Sequence, residues 1–231
     1  MAQIKANEAL VKALQTWNID HLYGIPGDSV DAVVDSLRTV RDQFKFYHVR
    51  HEEVASLAAA SYTKMTGKIG VALSIGGPGI VHLLNGMYDA KMDNVPQLII
   101  AGQTNSTLLG TKFFQETNIS KMVDDVAVYH HQIQKGDNVF EITNEAIRTA
   151  YEKKGVSVII CPNDLLTQKI KDTTNRAVDT TKPKPASPKF KSIKKAAKLI
   201  DKAKKPVMLI GLGTQPVSYT HLRAHETKAN L

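Results

Sequence analysis

The sequence predicts an α/β fold, a doubly wound parallel sheet followed by the start of a second α/β domain, on three observations. Short apolar runs alternate with segments whose apolar positions recur at i, i+3, i+4 and i+7, the pattern of buried strands joined by amphipathic helices. Several of the runs end in glycine or proline, as in "LYGIPG" and "ALSIGGPG", which punctuates strand ends. After a polar stretch near residue 180 the helix and strand patterns begin again, so a second unit opens there.

Taken in order, "NEALVKALQTW" places Leu10, Leu14 and Trp17 on one helical face, and "HLYGI" is a short strand closed by Pro26 and Gly27. "DSVDAVVDSL" sets Val30, Val33, Val34 and Leu37 at i, i+3, i+4 and i+7, with Asp28 or Ser29 as the expected N-cap. The strand "KFYHV", a helix from Glu52, the strand "IGVALSI", a glycine turn, the helix "IVHLLNGMYDA" and the strand "QLIIAG" follow. Beyond a long loop come the strand "VAVYHHQI", the helix "VFEITNEAIRTAYEK" and the strand "VSVIICP". Strict alternation of this kind implies a parallel sheet with helices on both faces and a ligand site at the loops beyond the strand C-termini.

This first domain is expected over residues 1–171. Threonine, lysine and proline dominate "DTTNRAVDTTKPKPASP", so 172–188 reads as an extended linker. Residues 189–215, with the lysine-faced helix "FKSIKKAAKLIDKA" and the strand "PVMLIGLG", read as the truncated start of the second domain. Residues 216–231, "PVSYTHLRAHETKANL", supply neither a strand nor a clear amphipathic helix. They resemble translated sequencing-adapter read-through and are expected to be foreign to the fold.

Composition is globular, with 42% hydrophobic and 23% charged residues. The net charge of +8 is local: Lys182 to Lys205 holds ten lysines and one acid, a balance of +9, leaving −1 for the rest of the chain. No basic face for nucleic acid is required. The only cysteine, Cys161, sits in an apolar run and excludes an intramolecular disulfide. Residues 1–20 lack a signal-peptide core, and no apolar run reaches the roughly 20 residues of a spanning helix, so a cytoplasmic location is expected.

Among the motifs, Gly76, Gly77 and Gly79 in "SIGGPGIVH" would let a ligand approach backbone at a helix N-terminus, although a tight strand-to-helix turn needs the same residues. "NSTLLGTK" fails as a phosphate loop because Asn105 stands at its first glycine position, and "HEEVA" fails as a zinc-protease motif because Ala55 replaces the second histidine. His130 and His131 are adjacent on a strand and point to opposite faces. No metal site is expected in the chain. Phe113, Phe114 and Gln115 in "FFQETN" would give an apolar wall with one amide, suited to a small polar substrate, although a packed loop helix is the more ordinary use of such residues. Gly211 and Gly213 follow a strand, but Pro216 occupies the third position of a dinucleotide fingerprint.

The stretch "YHVRHEEVASLAAASYTKM" opens a helix on two acids, a placement that the helix dipole favours in any protein. With Val54, Leu57, Ala58, Ser61 and Met65 taken as the inward face, Glu52 projects nearly opposite it and Glu53 lies to one side.

Together "LYGIPGDS", "VRHEEVA", "SIGGPG", "LLNGMYDA", "NVPQL", "FQETN" and "GVSVIICPNDL" resemble, in order and spacing, the thiamine-diphosphate- and FAD-dependent pyruvate oxidases, most nearly the bacterial quinone-reducing ones. The resemblance covers about residues 3–215 and implies a pyrimidine-binding domain followed by the start of a flavin-binding one. It implies that Glu52 hydrogen-bonds the aminopyrimidine nitrogen of the cofactor. By the same resemblance Pro26, Gly27, Gly77, Pro78, Gly79 and Asn85 match cofactor-contacting turns, Phe114 and Gln115 the segment near substrate and flavin, and Gly211 and Gly213 the flavin turn. The implied reaction is oxidative decarboxylation of pyruvate, with electrons passed through FAD to quinone, giving acetate, or to oxygen with phosphate, giving acetyl phosphate. An acetolactate synthase-type reaction is the alternative chemistry. A non-catalytic α/β module that docks acidic partners through its lysines is the alternative of another class. The Mg2+ ligands belong to a third domain that the sequence lacks, so the chain alone is expected to be inactive. The full-length parent is expected to be a homo-oligomer, a dimer or tetramer, with peripheral contact to the inner face of the membrane through segments missing here.

Overall fold

The computed structural model describes residues 2–183, 187–207 and 209. The expected strand and glycine turn at 206–213, Gly211 and Gly213 included, and the expected foreign tail lie essentially outside the described residues.

Six parallel strands form the main sheet, in the order β3-β2-β4-β5-β7-β6: β2 (His21–Gly24), β3 (Lys45–His48), β4 (Gly70–Ser74), β5 (Gln97–Gln103), β6 (Ala127–Gln132) and β7 (Val156–Pro162). Every strand expected in the first domain forms, and the fold is the α/β parallel sheet that the alternation implies. The central strands are buried along their whole length, which is why they read as continuous apolar runs.

Successive strand residues face opposite layers. Leu73, Leu98, Ile100 and Ile159 join Leu10, Leu14 and Phe140 under α1 (Ala6–Thr16), α2 (Asp31–Thr39) and α6 (Val139–Lys153). Ala72, Ile99, Ala101, Val158 and Ile160 join Ala55, Ala59, Ile80, Leu83 and Met87 under α3 (Glu52–Thr66), α4 (Pro78–Met92) and the short α5 (Ile119–Val123). Trp17 closes one end of the first layer, stacked on Tyr151 at 5.8 Å and donating through Nε1 to Asn144 Oδ1 at 2.8 Å.

The structure adds and corrects details. A two-stranded antiparallel sheet pairs β1 (Gln3–Lys5) with β8 (Lys169–Lys171), just after the short α7 (Asn163–Leu166); each strand is too short to register as a periodicity. Helix α2 starts at Asp31 behind Val30, and neither Asp28 nor Ser29 caps it. Asp28 instead accepts from the Ser29 amide at 2.8 Å, while the Ser29 hydroxyl is drawn to the neighbouring turn. Residues 172–183 do not leave the domain as a free linker. Thr173 is buried against Asn138, Val178 packs on the core, and Lys182 lies over the Tyr151 ring at 5.1 Å. The first compact unit accordingly ends at Pro183.

In the second unit α8 (Phe190–Lys202) is a helix with no buried residue; Phe190, Ile193, Leu199 and Ile200 are exposed.

Candidate functional site

Strand order reverses between β2 and β4. The chain runs outward from β2 to β3, recrosses, and continues from β4 to β5 on the other side. Loops leaving β2 and β4 therefore diverge and open a crevice at their C-terminal ends, where open α/β sheets bind ligands. Both glycine turns singled out in the sequence leave those two strands: Pro26 and Gly27 follow β2, and Gly76 to Gly79 follow β4 and enter α4 with Pro78 in its first turn. The two turns are tied together, since the Ser29 hydroxyl accepts from the Gly76 amide at 3.1 Å.

Gly77 has φ 62° and ψ −119°, a region that L residues avoid. A Cβ there would also stand 2.9 Å from the Gln115 carbonyl oxygen. The glycine turn and the loop after β5, separate motifs in the sequence, are thus in contact. That loop is pinned by Glu116, whose carboxylate accepts from the amides of Gly110 at 2.5 Å and Phe113 at 3.2 Å. These amides, Gly110 foremost, hold its carboxyl below the ordinary range. Phe113 and Phe114 stand out to solvent, Phe114 73% exposed, and form no apolar wall among the described residues.

Glu52 is the first residue of α3, and its burial corrects the face assigned from periodicity. The inward stripe is Glu52, Ala55, Ser56, Ala59, Ala60 and Thr63, spaced i, i+3, i+4, i+7, i+8 and i+11. Val54 is 50% exposed and Met65 86% exposed. Hydrophobic bulk does not mark the inward face here, because α3 lies so close to its neighbours that only small side chains fit beneath it. A Cβ on Gly86 of α4 would come within 2.5 Å of the Leu57 backbone nitrogen. Glu52 therefore lies on the packed face, 9% exposed, and not opposite to it.

Glu52 Oε2 lies 2.9 Å from His82 Nδ1, and Oε1 has no hydrogen-bond partner among the described residues. His51 caps α3 by accepting from the Glu53 amide at 3.3 Å, and its ring lies 4.4 Å from that of His82. Asn85, expected to face a cofactor, donates instead to Glu53. Further along the same helix pair, Lys64 bridges Asp89 and Asp93, each at 2.6 Å. Burial alone would lower the Lys64 pKa, but these two carboxylates outweigh it and raise it. The parallel helices α3 and α4 are thus joined by a ladder of polar pairs whose first rung holds Glu52.

His82 and His51 were not singled out by sequence reasoning. A signal existed for His82, because His82, Asn85 and Asp89 recur at helical spacing on one side of α4. His130 and His131 reach separate acids, Asp124 at 3.5 Å and Asp137 at 2.7 Å, in keeping with structural roles. Cys161 is fully buried, and burial pushes its thiol up to about 12, which leaves it without nucleophilic character.

The sheet, its switch-point crevice and the buried acid at the head of α3 define a domain class. Residues 4–122 match the family described as thiamine pyrophosphate enzyme, N-terminal TPP binding domain, and the chain belongs to that family. It is similar to the protein YdaP of Bacillus subtilis, 46% identical over 213 residues covering 92% of this chain and 37% of that one. It is also similar to a pyruvate oxidase of Lactiplantibacillus plantarum, 38% identical over 92% of this chain and 36% of the relative. An acetolactate synthase of Mycobacterium leprae is 33% identical over 91% of the chain and 34% of its own length. The chain thus spans about a third of the length of these relatives. No helix among the described residues is long and apolar enough to cross a membrane.

Proposed function

We propose that the chain is the pyrimidine-binding portion of a thiamine-diphosphate- and FAD-dependent pyruvate oxidase, with Glu52 as the residue that addresses the cofactor. The observation that carries this reading is the setting of Glu52: a buried carboxylate at a helix N-terminus, with one oxygen held by His82 and the other free for a donor. Those residues fit an aminopyrimidine, whose protonated ring nitrogen would donate to the one free carboxylate oxygen. When bound, thiamine diphosphate supplies a nucleophilic carbon for attack on a 2-oxo acid. In this reading Glu52 holds a proton on the pyrimidine nitrogen, His82 fixes the carboxylate in one orientation, and the turns of Pro26–Gly27 and Gly77–Gly79 limit water at the crevice.

Asn85 supports the site through Glu53 in this reading. Phe114 and Gln115 complete it once the remaining parts of the enzyme cover the exposed Phe114 ring. Mg2+, FAD, the electron acceptor, a dimeric or tetrameric assembly and any peripheral membrane contact belong to those remaining parts. The acetolactate synthase reaction is the second reading, favoured by the similarity to that enzyme at nearly the same identity as to pyruvate oxidase.

The test is the enzyme carrying the complete reading frame, supplied with pyruvate, thiamine diphosphate, Mg2+, FAD and a quinone or oxygen with phosphate. Acetate or acetyl phosphate is expected, and acetolactate would establish the second reading. Glu52→Gln should keep the fold and lower kcat by roughly 100-fold or more. Unchanged kcat would remove Glu52 from the mechanism.

A further inference from the structure

The region around α3 and α4 carries one constellation that proton chemistry does not absorb. His51, Glu52 and His82 each present a ligand atom, and the three atoms lie within 4.8 Å of one another. Two neutral imidazoles and one carboxylate form the donor set of open zinc sites, which hold the ion with three protein ligands and leave a fourth position for water. Four-coordinate zinc at ordinary bond lengths needs donors roughly 3.3 Å apart. The His82 Nδ1 to Glu52 Oε2 separation, 2.9 Å, is already that short. The His51 side chain is 48% exposed and that of His82 42% exposed, so the site opens to solvent, and an inward turn of His51 gives up its contact of 3.7 Å with the Glu53 carboxylate. The helix-cap contact it gives up is long, 3.3 Å. The carboxylate, by contrast, is fixed by its burial at the start of α3.

We infer that His51, Glu52 and His82 form a binding site for a borderline-soft divalent cation, zinc or cobalt, in the chain without cofactor. The ion takes the place of the hydrogen between His82 Nδ1 and Glu52 Oε2, and the neutral imidazole carries its one ring proton on Nε2. Mg2+ is discriminated against, because two of the three donors are imidazoles and Mg2+ demands oxygen ligands in octahedral array. The site needs only this chain's residues and stands apart from the cofactor reading. If that reading also holds, zinc and the pyrimidine compete for one carboxylate.

The experiment is equilibrium dialysis of the chelator-stripped full chain against Zn2+ alone, in a background carrying His221→Ala and His225→Ala so that these two histidines add nothing. One tightly bound Zn2+ per chain is expected, undisplaced by excess Mg2+, and Co2+ in its place should give the visible absorption of four-coordinate cobalt. His51→Ala, His82→Ala and Glu52→Gln should each weaken binding by about 10-fold or more, while the His130→Ala/His131→Ala pair leaves it unchanged. Circular dichroism and melting temperature report the fold, with His82→Asn as the second variant should alanine unfold the helix pair. Absence of stoichiometric Zn2+, or uptake indifferent to all three site exchanges, overturns the inference. Loss of oxidase activity in Glu52→Gln with Zn2+ binding intact would overturn it too, while leaving the cofactor reading standing.

Discussion

The two helical layers of the sheet are built on opposite principles. Under α1 and α6 the core is large and apolar, with Leu10, Leu14, Leu22 and Phe140 fully buried and an indole stacked at its margin. Under α3 and α4 much of the packing surface is alanine, serine and glycine, and the helices approach until backbone nearly touches side chain. The first layer gains stability by volume. The second buries Ile80, Leu83 and Met87 as well but packs small where α3 meets α4, and that proximity lets polar residues on the two helices reach each other in a ladder that begins at Glu52. Large side chains between these helices would hold Glu52 and His82 apart. The layer that packs small is the one that brings Glu52 and His82 together.

This contrast can be broken from either side. The largest stability loss is expected from Leu10→Ala, which empties a fully buried site in the voluminous layer and should cost about 2–5 kcal/mol in urea unfolding, with zinc uptake at the far layer unaltered. Gly86→Ala should cost less, about 1–3 kcal/mol, because the added methyl presses on the Ser56 and Leu57 backbone of α3. It should nevertheless weaken zinc binding, since it moves α4 against α3. If Leu10→Ala disturbed the site and Gly86→Ala did not, the division between the layers would fail.

The smallest effect is expected at Lys64, part-exposed between its two carboxylates. Lys64→Met should cost at most about 1 kcal/mol at neutral pH. The sign with pH follows from the raised Lys64 pKa: its contribution is complete below the ordinary lysine value of 10.5 and is lost as pH climbs through the raised one. Melting temperatures of wild type and Lys64→Met should therefore converge in strong alkali and stay separate at pH 8.

Strand positions, the helices between them and the glycine turns were legible because burial on both faces leaves an unbroken apolar run, and because glycine and proline mark strand ends locally. The small β1–β8 sheet was not, since its pairing joins Gln3–Lys5 to residues more than 160 positions away and each strand is too short to carry a period. The strap at 172–183 has the composition of an extended linker, whereas Thr173 and Val178 are held by partners that composition does not reveal.

For Glu52 the sequence by itself determined the position at the head of a helix, the neighbouring acid and the run of small residues behind them. Only the tertiary structure decided which way the side chain points. Periodicity assigns an inward face by hydrophobic bulk, but the contact between α3 and α4 selects for smallness, so the stripe of alanine and serine turned inward and took Glu52 with it. His82 reached the same carboxylate from a helix 30 residues away, through a crossover whose hand and landing place are properties of the folded sheet.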